Sequence, residues 1–446
     1  MKIELPEKVK VISEKLKLCG FEAFAVGGCV RDSIMGAVPN DWDICTDAKP
    51  EQIKHCFCGF NTFDSGIKHG TISIVIDGEV FEVTTYRIDG EYTDNRRPDS
   101  VTFTTDIVKD LARRDFTINA MAYNEEFGLI DPFDGRKDLA EKTLRCVGNP
   151  DLRFGEDALR IIRALRFASV LNLKIENSTS LSIYKNAELL KNIAAERISA
   201  EFDRLLCGDS AEEILNCYRD VFAVFIPEIK PMFDYDQHTK HHNRDVWKHT
   251  TCSVGCIEKT PLLRMTMLLH DIGKPDACKR DSDGTCHFKG HPKYSAQKAE
   301  LILRRLKYPT EFIEVCTTLI KYHDVRLSGA KRQLRHIMNI IGKENTALLM
   351  KIQKADILAQ SEYKRREKLE KLDLACCAYD EVLADDDCFT LKQLAVNGAD
   401  IMRIGVEEGI KVGRILKMLL SLVMEDKLEN EKSVLLKKAE ELRDEL

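Results

Sequence analysis

The sequence predicts an α+β domain at the N-terminus, followed by domains that are entirely helical. Two observations support this prediction. Short strand-like runs, two of them separated by the hairpin signal Asp77-Gly78, occur only before about residue 145. After Asp151, apolar residues recur at helical spacing, and almost no strand signal follows.

Length and composition indicate a folded protein of several domains. The chain has 446 residues, 44% hydrophobic and 31% charged, and ~150 residues per domain would make about three domains. The net charge of -6 argues mildly against a generic nucleic-acid binder, which would usually be basic. The 16 cysteines form no repeating framework, no apolar run is long enough to span a membrane, and the charged start lacks a secretory signal. We therefore expect a cytoplasmic protein with reduced thiols and no membrane partner.

The N-terminal elements follow in order from their apolar patterns. Val9, Ile12 and Leu16 lie at helical spacing and predict a first helix. Four strand-like runs follow, at residues 22–27, 41–46, 71–76 and 80–87. The last two flank Asp77-Gly78 and should form a hairpin. Together these elements predict a small α+β domain over residues 1–145.

The remainder of the chain is predicted to be helical. Residues 156–171 form an amphipathic pattern with arginines on one side. A helical arm continues to about residue 230, and a block rich in histidine spans residues 238–356. The charged run 361–373 is typical of a solvent-facing helix, and a last helical unit covers about 389–446.

The first group of candidate functional residues lies between two of the predicted strands. Asp41 and Asp43 are two residues apart, so in a strand they would project from one face about 7 Å apart. Carboxylates this close repel unless a cation lies between them, and Mg²⁺ prefers one or two carboxylates plus phosphate oxygens. Gly28, preceded by another glycine, lets the backbone approach an anion, and Arg31 adds a fork-shaped phosphate donor. A plain surface turn with stray acids is the alternative, and this stretch alone leaves both open.

Further candidates follow along the chain. Glu82, in the strand after the hairpin turn, is either a third metal-binding carboxylate or a cross-strand partner. Arg114 is a candidate nucleotide-binding residue. Asp115 directly after it would serve as the N-cap of an apolar helical run, and both interpretations of this motif stay open.

A row of charged residues then follows at three-residue steps, which places it roughly on one helix face. Its members are Asp157, Arg160, Arg163 and Arg166. Three arginines on one helix face repel each other. In a helix with a purely structural role we would expect acidic residues between them, as in residues 361–373. We therefore expect a polyanion to bind along this face.

These motifs, in this order, resemble those of class II tRNA nucleotidyltransferases, the CCA-adding enzymes and bacterial poly(A) polymerases of the polymerase-β-like superfamily. The motifs are GGxVRDxxxG…DxD, RRDFTINA, EDxxRxxRxxRF and ERISAEF, and the resemblance covers residues 20–230. It implies a polymerase-β-like nucleotidyltransferase head followed by an all-α neck, body and tail. The domain limits that we expect are 1–145 for the catalytic head, 146–230 for the helical neck or RNA-binding arm, 231–370 for the body and 371–446 for a helical, tRNA-binding tail.

The resemblance implies a role for each candidate in the head. Asp41 and Asp43 would bind two magnesium ions, with Glu82 a candidate third catalytic carboxylate. Gly28 and Arg31 would contact the triphosphate, Arg114 the nucleotide, Asp157 and Arg160 the base edge of C or A, and Arg163 and Arg166 the rest of the nucleotide site. The tRNA 3′-hydroxyl would attack the α-phosphate of CTP or ATP in line, and pyrophosphate would leave.

Two segments bear on which branch of the family the chain resembles. Residues 86–101 resemble the flexible loop that CCA-adding and A-adding enzymes need to switch from C to A. Residues 394–420, with Gly405, Gly409 and Gly413, resemble the tail of CCA-adding enzymes, and the terminal LRDEL is not the basic arm usual in poly(A) polymerases. We favour CCA addition, with poly(A) polymerase and an A-adding enzyme as the alternatives.

A second group of candidates contains most of the chain's 11 histidines. Their order, H…HD…D, resembles the HD superfamily of metal-dependent phosphohydrolases. The resemblance implies the metal ligands His249, His270, Asp271 and Asp356, with His291 and His323 extending the site to a second metal. It also implies that Lys274 touches phosphate, and of the preceding histidines only His242 fits the usual lead-in. Imidazole-plus-carboxylate sets suit a divalent transition metal such as Mn²⁺, Fe²⁺, Ni²⁺ or Zn²⁺.

Two interpretations of this HD-type block stay open. Some tRNA nucleotidyltransferases carry hydrolytic HD domains that act on phosphate or 2′,3′-cyclic phosphate ends, which suggests trimming of damaged tRNA. The block would otherwise serve mainly in tRNA docking. A hypothesis from another class makes the whole chain an HD phosphohydrolase whose head only binds nucleotide or RNA. The sequence leaves the oligomeric state open.

Overall fold

The computed structural model describes residues 2–90, 92, 98–239, 243–282 and 285–445. The chain divides into two compact units, Met1–Pro227 and Glu228–Leu446. The predicted switching loop at 86–101 falls partly outside the described residues, and His242 falls outside them entirely. Within the described residues, no helix has the length and apolarity that crossing a membrane requires.

The first unit is built on a mixed sheet. Its strands are β1 (Ala23–Val26), β2 (Ile44–Thr46), β3 (Asn61–Gly66), β4 (Thr71–Ile76), β5 (Glu79–Thr85), β6 (Arg87–Asp89), β7 (Val101–Phe103), β8 (Ala122–Asn124), β9 (Gly128–Ile130), β10 (Thr143–Leu144) and β11 (Lys174–Ile175). Seven of them form one sheet in the order β3-β4-β5-β2-β1-β8-β9. β2 and β5 run parallel, and the other neighbours in this sheet are antiparallel.

The helices of the first unit surround this sheet and continue beyond it. They are α1 (Glu7–Leu18), α2 (Gly28–Ile34), α3 (Pro50–Cys56), α4 (Ile107–Ala112), α5 (Gly135–Ala140), α6 (Pro150–Glu156), α7 (Leu159–Leu171), α8 (Asn177–Asn186), α9 (Ala195–Leu206), α10 (Ala211–Cys217) and α11 (Arg219–Phe222). Short 3₁₀ helices span Ile67–His69, Thr117–Asn119 and Ala187–Asn192.

Both faces of the sheet are buried at its central strand β1, which explains why β1 is apolar throughout. Ala25 belongs to one apolar cluster together with Ile12 of α1 and Ile53 of α3. Phe24, which points to the other face, belongs to a second cluster with Leu111 of α4. The sheet is therefore a rigid platform for the loops that leave its strands.

The α+β fold of the N-terminal region and the helical remainder are confirmed. Asp77 and Gly78 both adopt positive φ, 48° and 81°, as the tight turn between β4 and β5 requires. Strands β3, β7, β8, β9, β10 and β11 lie outside the predicted runs, and β6 overlaps them only at Arg87. The residues of β3 are largely polar because β3 is an edge strand, and β8 follows a run whose apolar spacing looks helical.

The second unit is helical apart from one short antiparallel strand pair, β12 (Lys279–Arg280) and β13 (Cys286–His287), among its described residues. Its helices are α12 (Val246–Gly255), α13 (Pro261–Leu269), α14 (Lys274–Ala277), α15 (His291–Arg305), α16 (Thr310–Tyr322), α17 (Lys331–Ile341), α18 (Lys343–Ala359), α19 (Arg365–Ala384), α20 (Gly398–Arg403), α21 (Ile410–Met424) and α22 (Lys432–Glu445).

One apolar cluster in the second unit runs from Leu319 in α16 to Leu442 in α22. Leu334 of α17 and Leu372 of α19 both belong to it, so it crosses the limit that we expect at residue 370. The HD-type block and the tail therefore share part of their core. The four domain limits stay a prediction.

Candidate functional site

The first candidate site lies where β1 ends and α2 begins. Gly27 connects them with a φ of 84°, a left-handed conformation that a side chain would strain. A Cβ atom on Gly27 would lie 2.9 Å from Nη1 of Arg114, and one on Gly28 would lie 3.7 Å from Nη2 of Arg31. The glycine pair therefore lets two guanidinium groups approach the backbone at the start of α2.

Arg31 is buried and is held by three side chains. Its Nη1 donates to Oδ1 of Asn119 at 2.7 Å, and its Nε donates to Oδ1 of Asp32 at 2.8 Å. The guanidinium carbon also lies 5.1 Å from the centroid of the Phe167 ring. The predicted phosphate donor is thus positioned by groups from three separate segments of the first unit.

The two candidate carboxylates lie just before β2. The prediction that residues 41–46 form one strand is wrong at its start, because pairing with β5 begins only at Ile44. Asp41 and Asp43 occupy the extended segment that precedes the strand. The carbonyl of Asp43 accepts a hydrogen bond from the N–H of Val26 at 3.0 Å, so Asp43 is fixed beside the glycine loop.

Glu82 of β5 adds a third acidic side chain to this group. β5 runs parallel to β2 in a register that places Glu82 beside Asp43. The pKa of Asp43 is raised to about 6. Burial is the larger cause, and repulsion from Asp41 is the next. Arg114 opposes the rise and Glu82 adds to it. Three acidic side chains thus lie near one another in a partly buried place, where a bound cation would offset their repulsion.

The negative charges of these three side chains suit a hard cation. Mg²⁺ is bound in proteins by one or two carboxylates, with phosphate oxygens of the substrate completing its shell. The oxygens of Asp41, Asp43 and Glu82 do not all lie within 4.8 Å of one another, as expected for groups that repel. All of these donors are oxygen atoms, and such a set is compatible with one Mg²⁺ ion or with two.

The arginine row on α7 is compensated by acids, so the expectation that its arginines repel each other is wrong, while the expected binding of a polyanion along this face stays a prediction. Each arginine has an ion-pair partner at 2.6 Å: Glu156 for Arg160, Asp115 for Arg163 and Glu201 for Arg166. Two of the partners lie far away in sequence, 48 residues before and 35 residues after their arginines. Only folding brings them to the row.

Asp157 does not share a helix with the row, although a continuous helix over 156–171 is predicted. Its backbone is extended, and it separates α6 from α7. Oδ1 of Asp157 accepts from the N–H of Leu159 at 3.1 Å, and Oδ2 accepts from Nη2 of Arg197 at 3.2 Å. Arg160 donates from Nη2 to the carbonyl of Arg113 at 3.1 Å. Both members of the predicted base-reading pair are therefore anchored by hydrogen bonds.

Asp115 connects several of the candidate residues, and the sequence did not reveal its place. The run after it is a 3₁₀ turn and a strand, so Asp115 caps no helix. Its Oδ2 accepts two hydrogen bonds from Arg163, at 2.6 and 2.9 Å, and its Oδ1 accepts from Nδ2 of Asn119 at 3.2 Å. Burial raises the pKa of Asp115, but Arg163 outweighs it and lowers that pKa to about 2. In the sequence, the only indication of this network is Asn119, four residues after Asp115.

The second candidate site surrounds the buried carboxylate of Asp271, in the turn after α13. Oδ2 lies 3.3 Å from Nε2 of His249 and 3.1 Å from Nε2 of His270. Oδ1 lies 3.2 Å from Nε2 of His291 and 3.8 Å from Nε2 of His323. One carboxylate thus joins two groups of potential metal ligands, each with its atoms within 4.8 Å of one another. We call this arrangement the histidine centre.

Each of these histidines is oriented by a backbone carbonyl. The Nδ1 atoms of His249, His270, His291 and His323 lie 3.5, 2.6, 2.8 and 2.6 Å from the carbonyl oxygens of Ala359, Met267, Phe288 and Ile320. Because a carbonyl only accepts, Nδ1 carries the hydrogen and Nε2 presents a lone pair to Asp271. A lone pair that faces a carboxylate is favourable only with a cation or a proton between them.

Asp356 of α18 completes the first group of ligands. Its Oδ1 lies 2.9 Å from Nε2 of His249 and 3.7 Å from Nε2 of His270. Burial lowers the pKa of His270, but Asp271 and Asp356 outweigh it and bring that pKa to about 10. Nε2 of His270 and Oδ2 of Asp271 are buried and make no well-formed hydrogen bond among the described residues, although the ammonium group of Lys274 lies 2.7 Å from Oδ2. These atoms fit a metal ion that both would ligate.

The second group is poorer in negative charge. Nε2 of His291 lies 3.1 Å from Nε2 of His323. Burial, together with the neighbouring His270 and His291, lowers the pKa of His323 to about 3. His323 therefore stays neutral and able to ligate. The mixed nitrogen and oxygen donors of both groups suit divalent transition metals.

Three family models match the chain. They are the Poly A polymerase head domain over residues 23–145, the probable RNA and SrmB-binding site of polymerase A over residues 172–233, and the putative tRNA nucleotidyltransferase domain 2 over residues 288–439. Together with the mixed sheet and its acidic group, the first match defines the class: the head is a polymerase-β-like nucleotidyltransferase domain.

Curated relatives match over nearly the whole chain. The CCA-adding enzyme of Pediococcus pentosaceus is 31% identical over 98% of both chains, and that of Levilactobacillus brevis is 34% identical over 97% of both. The crystal structure of the Bacillus stearothermophilus CCA-adding enzyme in complex with CTP has a TM-score of 0.72 over 99% of both chains, at 27% identity. The chain belongs to the family of CCA-adding enzymes. The HD-type identity of residues 231–370 and the roles of the individual site residues stay predictions.

The Asp115 network predicts a pH-dependent loss of stability. Because the folded pKa of Asp115 lies below its usual value, its carboxylate stabilises the fold above about pH 4. This contribution, on the order of 2 kcal/mol, is lost as the pH falls toward 2. The Asp115→Asn variant should therefore have a lower free energy of unfolding than wild type at pH 7, with a smaller gap at pH 3. Urea unfolding at both pH values measures this.

Asp134→Asn is the matched control, because Asp134 is exposed and has a positive φ that asparagine tolerates. It should leave the free energy of unfolding unchanged at both pH values. An Asp115→Asn gap of the same size at pH 7 and pH 3 would contradict the ion-pair account.

Proposed function

We propose that this chain adds and repairs the 3′-terminal CCA of tRNA from CTP and ATP, with Asp41 and Asp43 as its catalytic metal ligands. The observation that supports this assignment is the acidic group beside the glycine loop, in a chain that belongs to the family of CCA-adding enzymes. No nucleic-acid template is required, since protein side chains are available to contact the base.

The head residues would act mainly by positioning the nucleotide. Arg31, held by Asn119, and Arg114, packed against Gly27, would contact the triphosphate and keep its α-phosphate beside Asp41 and Asp43. Bound Mg²⁺ would activate the attacking hydroxyl and stabilise the leaving pyrophosphate. Glu82 would support the metal ligands from the neighbouring strand.

Asp157 and Arg160 would select the base. A carboxylate that accepts and a guanidinium that donates together offer a hydrogen-bonding pattern like that of a base edge. Both side chains are anchored, Asp157 by Arg197 and Arg160 by Glu156, so they are held ready before a nucleotide binds. Arg163 and Arg166 would complete the nucleotide site, with their charges already balanced.

The head assignment predicts that Asp43→Asn abolishes CCA addition. Loss of one metal-ligating carboxylate should lower kcat by roughly 10²–10³-fold or more, because the charge that develops at the α-phosphate is no longer stabilised. The assay follows extension of tRNA lacking its 3′ end, with CTP, ATP and Mg²⁺. Asp64→Asn, at an exposed carboxylate paired with Lys54, is the control and should extend tRNA normally. Extension by Asp43→Asn at the wild-type rate would contradict the assignment.

The histidine centre supports a second activity, the hydrolysis of phosphate or cyclic phosphate ends of RNA. The observation that favours it is the pair of adjacent potential ligand sets, which share the buried Asp271 and to which Asp356 adds a second carboxylate. His249, His270, Asp271 and Asp356 would hold one divalent transition metal, and His291 and His323 would extend the centre to a second. Bound metal would supply hydroxide from water at neutral pH.

The hydrolytic step needs no reactant other than water. Water adds to phosphorus, the bond from phosphorus to the ribose oxygen breaks, and that oxygen takes up a proton. Lys274 donates to Oε1 of Gln237 at 2.9 Å and lies 2.7 Å from Oδ2 of Asp271, so it is placed to contact a phosphate bound beside the carboxylate. Hydrolysis at this centre would prepare a damaged tRNA end for new CCA addition.

The chain would act in the cytoplasm, with its cysteines reduced. Cys29, Cys45 and Cys316 are buried thiols, and burial raises their pKa values, so they stay protonated and unreactive. Thiols of this kind persist in a reducing compartment.

The histidine centre predicts bound transition metal and a metal-dependent phosphatase activity. Wild-type protein should hold one or two equivalents of metal by elemental analysis and release phosphate from RNA that ends in a phosphate. His270→Ala should lose the metal and at least about a hundredfold of this activity, yet keep CCA addition.

His238→Ala is the control for this experiment, because His238 is exposed and pairs only with Asp236 among the described groups. It should retain both metal and hydrolysis. Full metal content in His270→Ala would rule out the proposed ligand set.

A further inference from the structure

Two cavities flank the histidine centre and share part of their walls. One has a volume of about 330 Å³ and includes Lys274 in its lining, and the other, of about 410 Å³, runs beside α19. Arg326, Asp356 and Lys368 line both cavities. The centre therefore opens into one continuous groove that extends away from the metal ligands along α19.

The groove walls are mainly cationic once the proposed metal ligands are set aside. The cations include Lys274, Arg326, Lys364, Lys368 and Lys371, and the acids are Asp324 and Glu367. Glu367 is engaged with Lys371 at 2.8 Å. This balance favours an anionic ligand, since like charges that line a groove attract counter-ions along its length.

Three of the cations form a row that leads away from the centre. Lys368 and Lys371 lie three residues apart near the start of α19, a spacing that makes side chains neighbours on a helix, about 5–6 Å apart between Cβ atoms. Lys364 is the N-cap residue just before this helix, and all three line the same cavity. We name these three residues the lysine row.

The middle lysine of the row is tied to a proposed metal ligand. Nζ of Lys368 donates to Oε1 of Gln360 at 2.5 Å, and Nε2 of Gln360 donates to Oδ2 of Asp356 at 2.9 Å. The other oxygen of Asp356 lies 2.9 Å from Nε2 of His249. A phosphate held at the metal centre would therefore lie close to the lysine row.

We propose that the lysine row binds the backbone phosphates of an RNA strand whose terminal phosphate, or cyclic phosphate, lies at the histidine centre. The substrate of the centre is then the end of a polynucleotide and not a free nucleotide. A free mononucleotide has one phosphate, which Lys274 and Arg326 beside the centre suffice to bind. Lys364 and Lys371 lie farther along the groove, where the further phosphates of a strand would pass. This inference rests on the proposed hydrolytic function of the centre.

The test compares two substrates in the full chain loaded with Mn²⁺. One is a six-nucleotide RNA that ends in a 2′,3′-cyclic phosphate, and the other is 2′,3′-cyclic AMP. In the double variant Lys364→Gln/Lys371→Gln, KM for the RNA should rise about tenfold while KM for the mononucleotide stays the same. The slope of log KM for the RNA against log salt should fall by about 1.4, because two contacts to a single strand contribute about 0.7 each.

Arg366→Gln is the matched control. Arg366 lies on the same helix, is 93% exposed and pairs with Glu370, and it lines neither cavity. It should change neither KM nor the salt slope. An unchanged KM for the RNA in the double variant, with both substrates hydrolysed, would overturn the inference and leave the hydrolytic function intact.

If the hydrolytic function itself is wrong, the result differs: the wild-type chain would hydrolyse neither substrate with Mn²⁺, Ni²⁺ or Co²⁺. Fluorescence anisotropy with the same RNA would still decide the role of the groove: a weaker Kd in the double variant supports the lysine row as an RNA contact, and an equal Kd overturns it.

Discussion

The ion pair between Arg163 and Asp115 is the contact on which the arrangement of the proposed nucleotide site depends. Asp115 is almost fully buried, and its second oxygen accepts from Asn119, which in turn accepts from Arg31. One carboxylate thereby fixes a helix, a 3₁₀ turn and the predicted triphosphate donor with respect to one another. Breaking such a pair leaves a buried charge without its partner, which commonly costs about 3–5 kcal/mol.

Both candidate sites share one physical feature, a set of partly or fully buried polar groups that a bound cation would stabilise. In the head, burial first and the repulsion from Asp41 second raise the pKa of Asp43 to about 6. In the histidine centre, backbone carbonyls turn four imidazole lone pairs toward one carboxylate. The donors differ in kind, so the two sites differ in the metal they suit: oxygen alone suits Mg²⁺, and mixed nitrogen and oxygen suit a transition metal.

Much of this arrangement was predictable from the sequence, because local patterns carry it. The buried strands and the turn at Asp77-Gly78 follow from apolar runs and glycine, and the ligand sets follow from ordered motifs. The partners of Arg163 and Arg166 were not predictable, since Asp115 and Glu201 reach the row only through the packing of distant segments. The break in the helix at Asp157 escaped prediction for a related reason. Its extended backbone is stabilised by hydrogen bonds, including one from Arg197, and not by a proline or glycine.

In the proposed function, protein side chains around the acidic group select C, C and then A for the tRNA end. The decisive measurement is sequencing of the 3′ ends of a tRNA that lacks its terminal trinucleotide, after reaction with all four nucleoside triphosphates and Mg²⁺. We expect tRNA that ends in CCA and is not extended further. Ends of A alone, long A tails, or incorporation of G and U would rule out this selection.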